Sequence, residues 1–253
     1  IVLDSLAATG ANGGDAKLDA RQRAYCARSL YVLGNIARFG ADVVDAACAR
    51  DECEISISDL LRVFRKTLEN QPEDEYELTR GALGACGDLF VARPELMFNA
   101  QGGFGKGSFD LIMRAALSTT AERGLKEQSL HNLSELIREE ELRMSANAGG
   151  ASVDDAKSVA KSAQKRARDA EKLQIVNGER DRSIAGGIAQ RYWNDVLALC
   201  VDDAAGVRLK ALHLVELVLR QGLTHPASAF PTLVAAQLDP SPGVKRLARK
   251  LLK

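Results

Sequence analysis

The chain has 253 residues, 46% hydrophobic, 27% charged and only 5% aromatic, and its 34 basic and 34 acidic side chains cancel to a formal net charge of +0. That composition can bury a sizeable core, but it excludes a global electrostatic pull toward nucleic acid or acidic membrane, so any basic surface must be local. Ala, Leu, Glu, Arg and Lys, the better helix formers, dominate, and long period-two runs of Val, Ile and Thr are missing, which excludes a β-sheet protein.

No apolar run is long and uncharged enough to cross a membrane, and no secretory signal is present. The opening on Ile1 rather than Met reads as a segment of something longer. Cys26, Cys48, Cys53, Cys86 and Cys200 form neither a CxxC pair nor a dense framework, as expected of reduced thiols in an intracellular protein. Cys48 and Cys53 have no further metal ligands nearby, so no metal site or cofactor is expected.

Residues 1–18 read as an irregular segment. From Ala20 to Phe39, Cys26, Leu30, Leu33 and Ala37 recur at helical spacing, and Gly40 is a natural stop. A shorter helix follows over 57–68, broken by Gln71 and Pro72. The next, Tyr76 to Ala92, carries Leu78, Ala82, Ala85, Cys86, Leu89 and Phe90 on one face. It also holds Gly81, Gly84 and Gly87, each of which costs about 1 kcal/mol relative to Ala in a helix interior. Three such penalties predict that a neighbouring helix approaches closely there.

Pro94 turns the chain, and 101–108 is a glycine-rich loop. Phe109 to Leu117 resumes a helix, and Leu125, Leu130, Leu133, Leu136 and Ile137 mark a longer one ending in the charged run Arg138-Glu139-Glu140-Glu141. Ser152 with Asp155 resembles a helix-start box for a peripheral, alanine-faced helix over 153–173. Strong apolar periodicity returns at Tyr192, then in a helix over 206–220 that is apolar nearly all round, with only Lys210, His213, Glu216 and Arg220 as a polar stripe. A helix so apolar must be covered on more than one side. Gly222 ends it, and helices over 230–238 and 244–252 complete the chain. The expected organisation is helical repeats over 19–145, a polar, charged insertion over 146–184 and further repeats over 185–253.

One short pattern occurs twice. Asp203, Val207, Arg208 and Ala211 are echoed by Asp239, Val244, Lys245 and Ala248, with Asp239 one residue further from its valine. The two valines lie 37 residues apart, near the period of about 40–47 of HEAT repeats. The Asp favours the start of the second helix of each pair, the valine and alanine are core positions one turn apart, and the Arg or Lys can reach the Asp of an adjacent repeat. Asp74 with Leu78 and Ala82 is a degenerate earlier copy. The fold class is therefore all-α, a HEAT-type α-solenoid of stacked antiparallel helix pairs.

Several blocks then resemble one family in order. Arg28-Ser-Leu-Tyr-Val-Leu-Gly-Asn-Ile-Ala-Arg-Phe39 looks like the helix opening the C-terminal HEAT region of the Nipped-B family of cohesin loaders. Leu83-Gly-Ala-Cys-Gly-Asp-Leu-Phe-Val-Ala-Arg-Pro94-Glu-Leu-Met-Phe98 resembles that family's next helix and its exit. Leu125-Lys-Glu-Gln-Ser-Leu-His-Asn-Leu133 with Glu139-Glu-Glu-Leu-Arg-Met144, then Arg191-Tyr-Trp-Asn-Asp-Val-Leu197, and Gln221-Gly-Leu-Thr-His-Pro226 with Asp239-Pro-Ser-Pro242 are similar to later blocks. The basic, alanine-rich stretch 145–184 departs from the pattern. The resemblance implies a nuclear, non-enzymatic protein that holds cohesin, an ATP-driven ring complex, on double-stranded DNA in chromatin and promotes its loading for sister chromatid cohesion. It also implies a small loader partner subunit that binds outside this segment.

Other chemistry is weakly signalled. Gly102-Gly-Phe-Gly-Lys106-Gly-Ser108 fails the P-loop pattern because Gly107 separates Lys106 from Ser108 and Ala100 replaces the first glycine. His131, His213 and His225 have no credible nucleophile partner, so no catalysis is expected. Two basic groups remain as candidates for DNA-backbone contact: Lys157, Lys161 and Lys165 on one stripe, with Arg166 and Arg168 beside them, and Lys245, Arg246, Arg249, Lys250 and Lys253 on the last helix. Neither has interleaved aromatics for base stacking. The rival from another class is a HEAT adaptor scaffold for transport or phosphatase regulation, which needs the same architecture without DNA.

Overall fold

The computed structural model describes residues 19–50, 55–69, 76–97, 109–148 and 184–253. Among them the regular elements are helical, no strand occurs, and the fold is an all-α, HEAT-like solenoid. The described α-helices are α1 (Ala20–Phe39), α2 (Ala41–Cys48), α3 (Ile57–Glu69), α4 (Tyr76–Ala92), α5 (Phe109–Leu117), α6 (Arg123–Ala148), α7 (Ile184–Leu199), α8 (Ala205–Arg220), α9 (Phe230–Ala236) and α10 (Pro242–Leu251). The segment 1–18, Cys53, Asp74, the loop 101–108 and the expected helix over 153–173 with Ser152, Asp155, Lys157, Lys161 and Lys165 lie outside the described residues.

The chain divides into two compact units, one holding Ile1–Ala116 with Ala121–Asn132, the other Leu117–Thr120 with Leu133–Lys253, so α6 belongs in part to each. In the first unit, α1 starts on a reciprocal cap in which the Gln22 backbone N–H donates to Asp19 Oδ1 (2.7 Å) and the Asp19 backbone N–H donates to Gln22 Oε1 (2.9 Å). It runs alongside α4 in the same direction, with Leu30 beside Gly81, Gly34 against Ala85 and Arg38 reaching Asp88 at 3.2 Å. On the other side of α4 the start of α6 also runs parallel, with Gln128 over Gly84 and Asn132 over Gly87.

The glycines of α4 are thus shared between two neighbours. The helix is continuous through all three, and a side chain on Gly87 would sit 2.3–2.6 Å from the Asn132 amide. That slot admits a polar crossing into the core. Asn132 Nδ2 donates to the Leu83 carbonyl (2.8 Å), and Gln128 Nε2 donates to Asn132 Oδ1 (2.9 Å). Close packing is what the glycine spacing predicts; that the guest is an amide rather than an apolar ridge is not legible from it.

Gly40 does end α1, but it also opens α2, which periodicity misses. With eight residues and Val43 left exposed, α2 buries too little to write a pattern. It is fastened from outside: Arg93 Nη2, just past α4, donates to Asp42 (2.6 Å) and Asp45 (2.7 Å).

In the second unit, short turns fold α8 back on α7 and α10 back on α9. Val207, Ala211, Leu212, Leu214, Val215, Leu217 and Val218 of α8 are all buried, as the all-round apolar pattern requires. Part of α6 covers one flank, tied where Arg220 Nη2 (3.2 Å) and Gln221 Nε2 (2.9 Å) donate to Glu141 Oε2. On the other flank α10 runs parallel to α8, with Gly243 beside Leu209 and Lys250 on Glu216. Gly222 stops α8 at φ +68°, its N–H donating to Leu219 and that of Leu223 to Val218, the paired bonds of a Schellman motif.

Two boundaries differ from the periodicity by more than two residues. Helix α6 continues past the acidic run to Ala148, and α7 opens at Ile184, eight residues ahead of Tyr192. The first turns of α7 hold Ala185, Gly186 and Gly187, side chains too small to carry an apolar signal even though Ala185 and Gly186 are buried.

Candidate functional site

Helix α8 presents Arg208 toward the turn that precedes α10. The residue is only 9% exposed. Its guanidinium forks onto Asp239, Nε to Oδ2 at 2.6 Å and Nη2 to Oδ1 at 3.0 Å. Its remaining nitrogen, Nη1, donates to the main-chain carbonyls of Asp202 (2.7 Å) and Asp203 (2.8 Å). One side chain therefore ties its own inter-helix turn to the turn of the next pair. Val207, Ala211, Val244 and Ala248 are all buried.

This geometry shifts the repeat register by one residue. Asp202 Oδ1 accepts the N–H of Ala204 (2.9 Å), two residues on, and Asp239 Oδ1 accepts that of Ser241 (2.7 Å) in the same way. The equivalent of Asp239 is thus Asp202, not Asp203, and the motif then holds a uniform spacing of 37 residues: Asp202/Asp239, Val207/Val244, Arg208/Lys245 and Ala211/Ala248. Asp203 takes part through its carbonyl. A strictly constant spacing is the signal that would have selected Asp202.

The basic residues of α10 separate by environment. Lys250 Nζ is bound to Glu216 Oε1 of α8 at 2.6 Å, and Glu216 also receives His213 at 3.5 Å. Lys245 is half-buried, and its charge acts on Asp239. Arg246 is exposed and returns Nε to the Pro242 carbonyl at 3.2 Å. Arg249 and Lys253 are exposed, and among the described residues neither they nor Arg246 has an ion-pair partner. Arg246 and Arg249, three residues apart, share one outward face of α10, and Lys253 lies just past its end at Leu251. The sequence alone cannot show which of the cations are already held, because Glu216 lies 34 residues from Lys250.

Burial pushes the Asp239 carboxyl up, but the Arg208 hydrogen bonds, the Ser241 N–H and the charges of Arg208 and Lys245 outweigh it and hold the group below its ordinary value. Glu216 is lowered mainly by its hydrogen bond from Lys250, against a smaller effect of burial. A lowered folded-state pKa gives stability that is complete above the unfolded value, near 4, and is lost as pH falls through the folded one. The unfolding midpoint of the chain is therefore expected to fall as pH is lowered from about 5 to about 3, and Asp239→Asn with Glu216→Gln to flatten that fall. Urea titrations across this range check it.

Cys26, Cys86 and Cys200 are buried, and burial pushes Cys86 far up and Cys200 up to about 12. Among the described residues no three His, Cys, Asp or Glu converge as a metal site, and no helix is long and apolar enough to cross a membrane.

Residues 185–253, which hold the Arg208 tie and α10, match the sequence family described as Sister chromatid cohesion C-terminus. Over 230 residues, 89% of this chain, the sequence is 30% identical to the Nipped-B-like proteins of Homo sapiens and Mus musculus. The chain belongs to the Nipped-B family. The Caenorhabditis elegans Nipped-B-like protein scc-2 is 36% identical over 70 residues, 28% of this chain and 3% of that protein. This Nipped-B relative spans about 7% of the length of the human and mouse proteins. The family match falls on the unit in which the repeat register is most regular.

Proposed function

We propose that this chain is a scaffold segment of a cohesin loader, binding cohesin subunits along its helical stack and the DNA backbone through α10, and promoting ATP-dependent loading in the nucleus without a catalytic group of its own. The observation that supports the reading is the likeness to Nipped-B-like proteins along 89% of the chain. The ATP-hydrolysing residues belong to cohesin in this scheme, and the helical stack supplies position and contact area. Lys250 is held by Glu216 and Lys245 is half-buried near Asp239, so the phosphate-facing set is Arg246, Arg249 and Lys253. Such contacts neutralise phosphates without reading bases.

Reversing these three to Glu in the full-length protein is expected to weaken duplex binding and to reduce the slope of log affinity against log salt by about 3, close to one per lost phosphate contact. DNA-dependent ATP hydrolysis by cohesin should fall with it, while the unfolding midpoint stays within error. Unchanged DNA affinity and unchanged ATP hydrolysis would remove α10 from the DNA-contacting surface.

A further inference from the structure

Ser241 is followed by Pro242, and no other serine or threonine in the chain precedes a proline. The pair lies in the turn between α9 and α10, where Ser241 is half-buried and the prolines on either side of it, Pro240 and Pro242, are exposed. Its backbone is extended, at φ −73° and ψ 122°, as the following proline favours. A protein kinase takes its substrate in that extended form. The Ser241 hydroxyl makes no hydrogen bond among the described residues, while its N–H is held by Asp239 Oδ1 at 2.7 Å. Other turn serines use theirs: Ser56 Oγ donates to Asp59 Oδ2 (2.7 Å) and Ser228 Oγ to the His225 carbonyl (2.6 Å).

The helix that follows carries only basic charge. Lys245 and Arg246 come four and five residues after Ser241, and α10 has no acidic residue. Lys245 lies one turn on from Ser241, on the same side of the helix. Its charge already acts on Asp239, the carboxylate that holds the Ser241 N–H. A phosphate on Ser241 adds a charge of about −1.5 to −2 and three acceptor oxygens within reach of that lysine. Arg246 is about 7.5 Å further along the axis, inside one screening length at physiological salt.

We propose that Ser241 accepts phosphate from a proline-directed protein kinase, and that the phosphoserine weakens the hold of α10 on the DNA backbone. The second half rests on the phosphate-facing set assigned to α10 under the proposed function; the modification itself does not. In the transfer the Ser241 hydroxyl oxygen attacks the γ-phosphorus of ATP and the bond from that phosphorus to the β,γ-bridging oxygen breaks. ADP leaves with the electron pair, and the hydroxyl proton passes to a carboxylate of the kinase. The product pairs with Lys245 and sets negative charge beside Arg246, so it repels the DNA phosphates that this end of the helix otherwise neutralises.

The test incubates the full-length protein with a purified proline-directed kinase and ATP, and locates phosphate by peptide mass spectrometry. Phosphate at Ser241 is expected, with none after Pro242→Ala, which keeps the hydroxyl and removes the proline that the kinase reads. Compared with Ser241→Ala protein treated alongside, the phosphorylated protein should bind duplex about fivefold more weakly at about 0.15 M salt, the worth of one phosphate contact. Phosphatase should close that gap. Ser241 left unmodified, while the kinase phosphorylates a reference Ser-Pro substrate, overturns the proposal. Phosphate at Ser241 with no gap in affinity also overturns it where charge reversal of Arg246, Arg249 and Lys253 does weaken binding, and the DNA reading then stands. No effect of either change removes α10 from the DNA-contacting surface, and the control by phosphate with it.

Discussion

Arg208→Ala is expected to lower the unfolding free energy of the C-terminal unit by about 3–5 kcal/mol, the range for removing one partner of a buried ion pair. The reason lies in what remains. The Asp239 side chain is 7% exposed and would keep a buried charge facing an empty volume, and the carbonyls of Asp202 and Asp203 would lose their donor. Arg208→Lys should recover only part of the loss, since an ammonium cannot fork onto a carboxylate and reach two carbonyls at once. The double variant Arg208→Ala/Asp239→Ala should be less destabilised than the two single losses added together. Trp193 is the chain's one tryptophan and sits in this unit, so its fluorescence in urea reads the transition directly.

The second large effect is expected at Gly87. Gly87→Val places branched carbon where the Asn132 amide lies within 2.6 Å of the first added atom, and the amide cannot swing away without breaking its bond to Leu83. A loss of about 3 kcal/mol follows, the upper part of the usual overpacking range. In an Asn132→Ala background the same substitution should be far milder, because the slot is then vacant. Equal losses in both backgrounds would mean that the glycine is needed for something other than the amide. Circular dichroism is the probe here, as Trp193 lies in the other unit.

These two sites show where sequence reading stops. The bounds of α1, α4 and α5 were legible because large apolar residues recur at helical spacing and a break follows, Gly40 after α1, Pro94 after α4 and Ser118-Thr119-Thr120 after α5. The Arg-to-next-Asp tie was legible as a reach, since a twice-seen motif puts a cation and a carboxylate at the ends of successive pairs. Its register was not, because Asp202 and Asp203 are adjacent and chemically identical; only the hydrogen bond to the Ala204 N–H separates them. The glycines of α4 announced a close neighbour but not two, and not the Gln128–Asn132 crossing, since neither amide adds to the apolar spacing that marks a core position. The basic helix was visible as a run of charge, whereas the capture of Lys250 by Glu216 depends on how α8 and α10 align, which no local pattern encodes. Small residues explain the late reading of α7, whose first turn is packed through alanine and glycine.

The contribution of this segment to loading is most directly measured by DNA-dependent ATP hydrolysis of purified cohesin with the full-length protein, intact or carrying Arg208→Ala. The intact protein should stimulate hydrolysis well above cohesin and DNA alone, and the variant should do so less at temperatures where its C-terminal unit is unfolded. No stimulation by the intact protein, with cohesin and DNA shown to be competent, would contradict the loader reading.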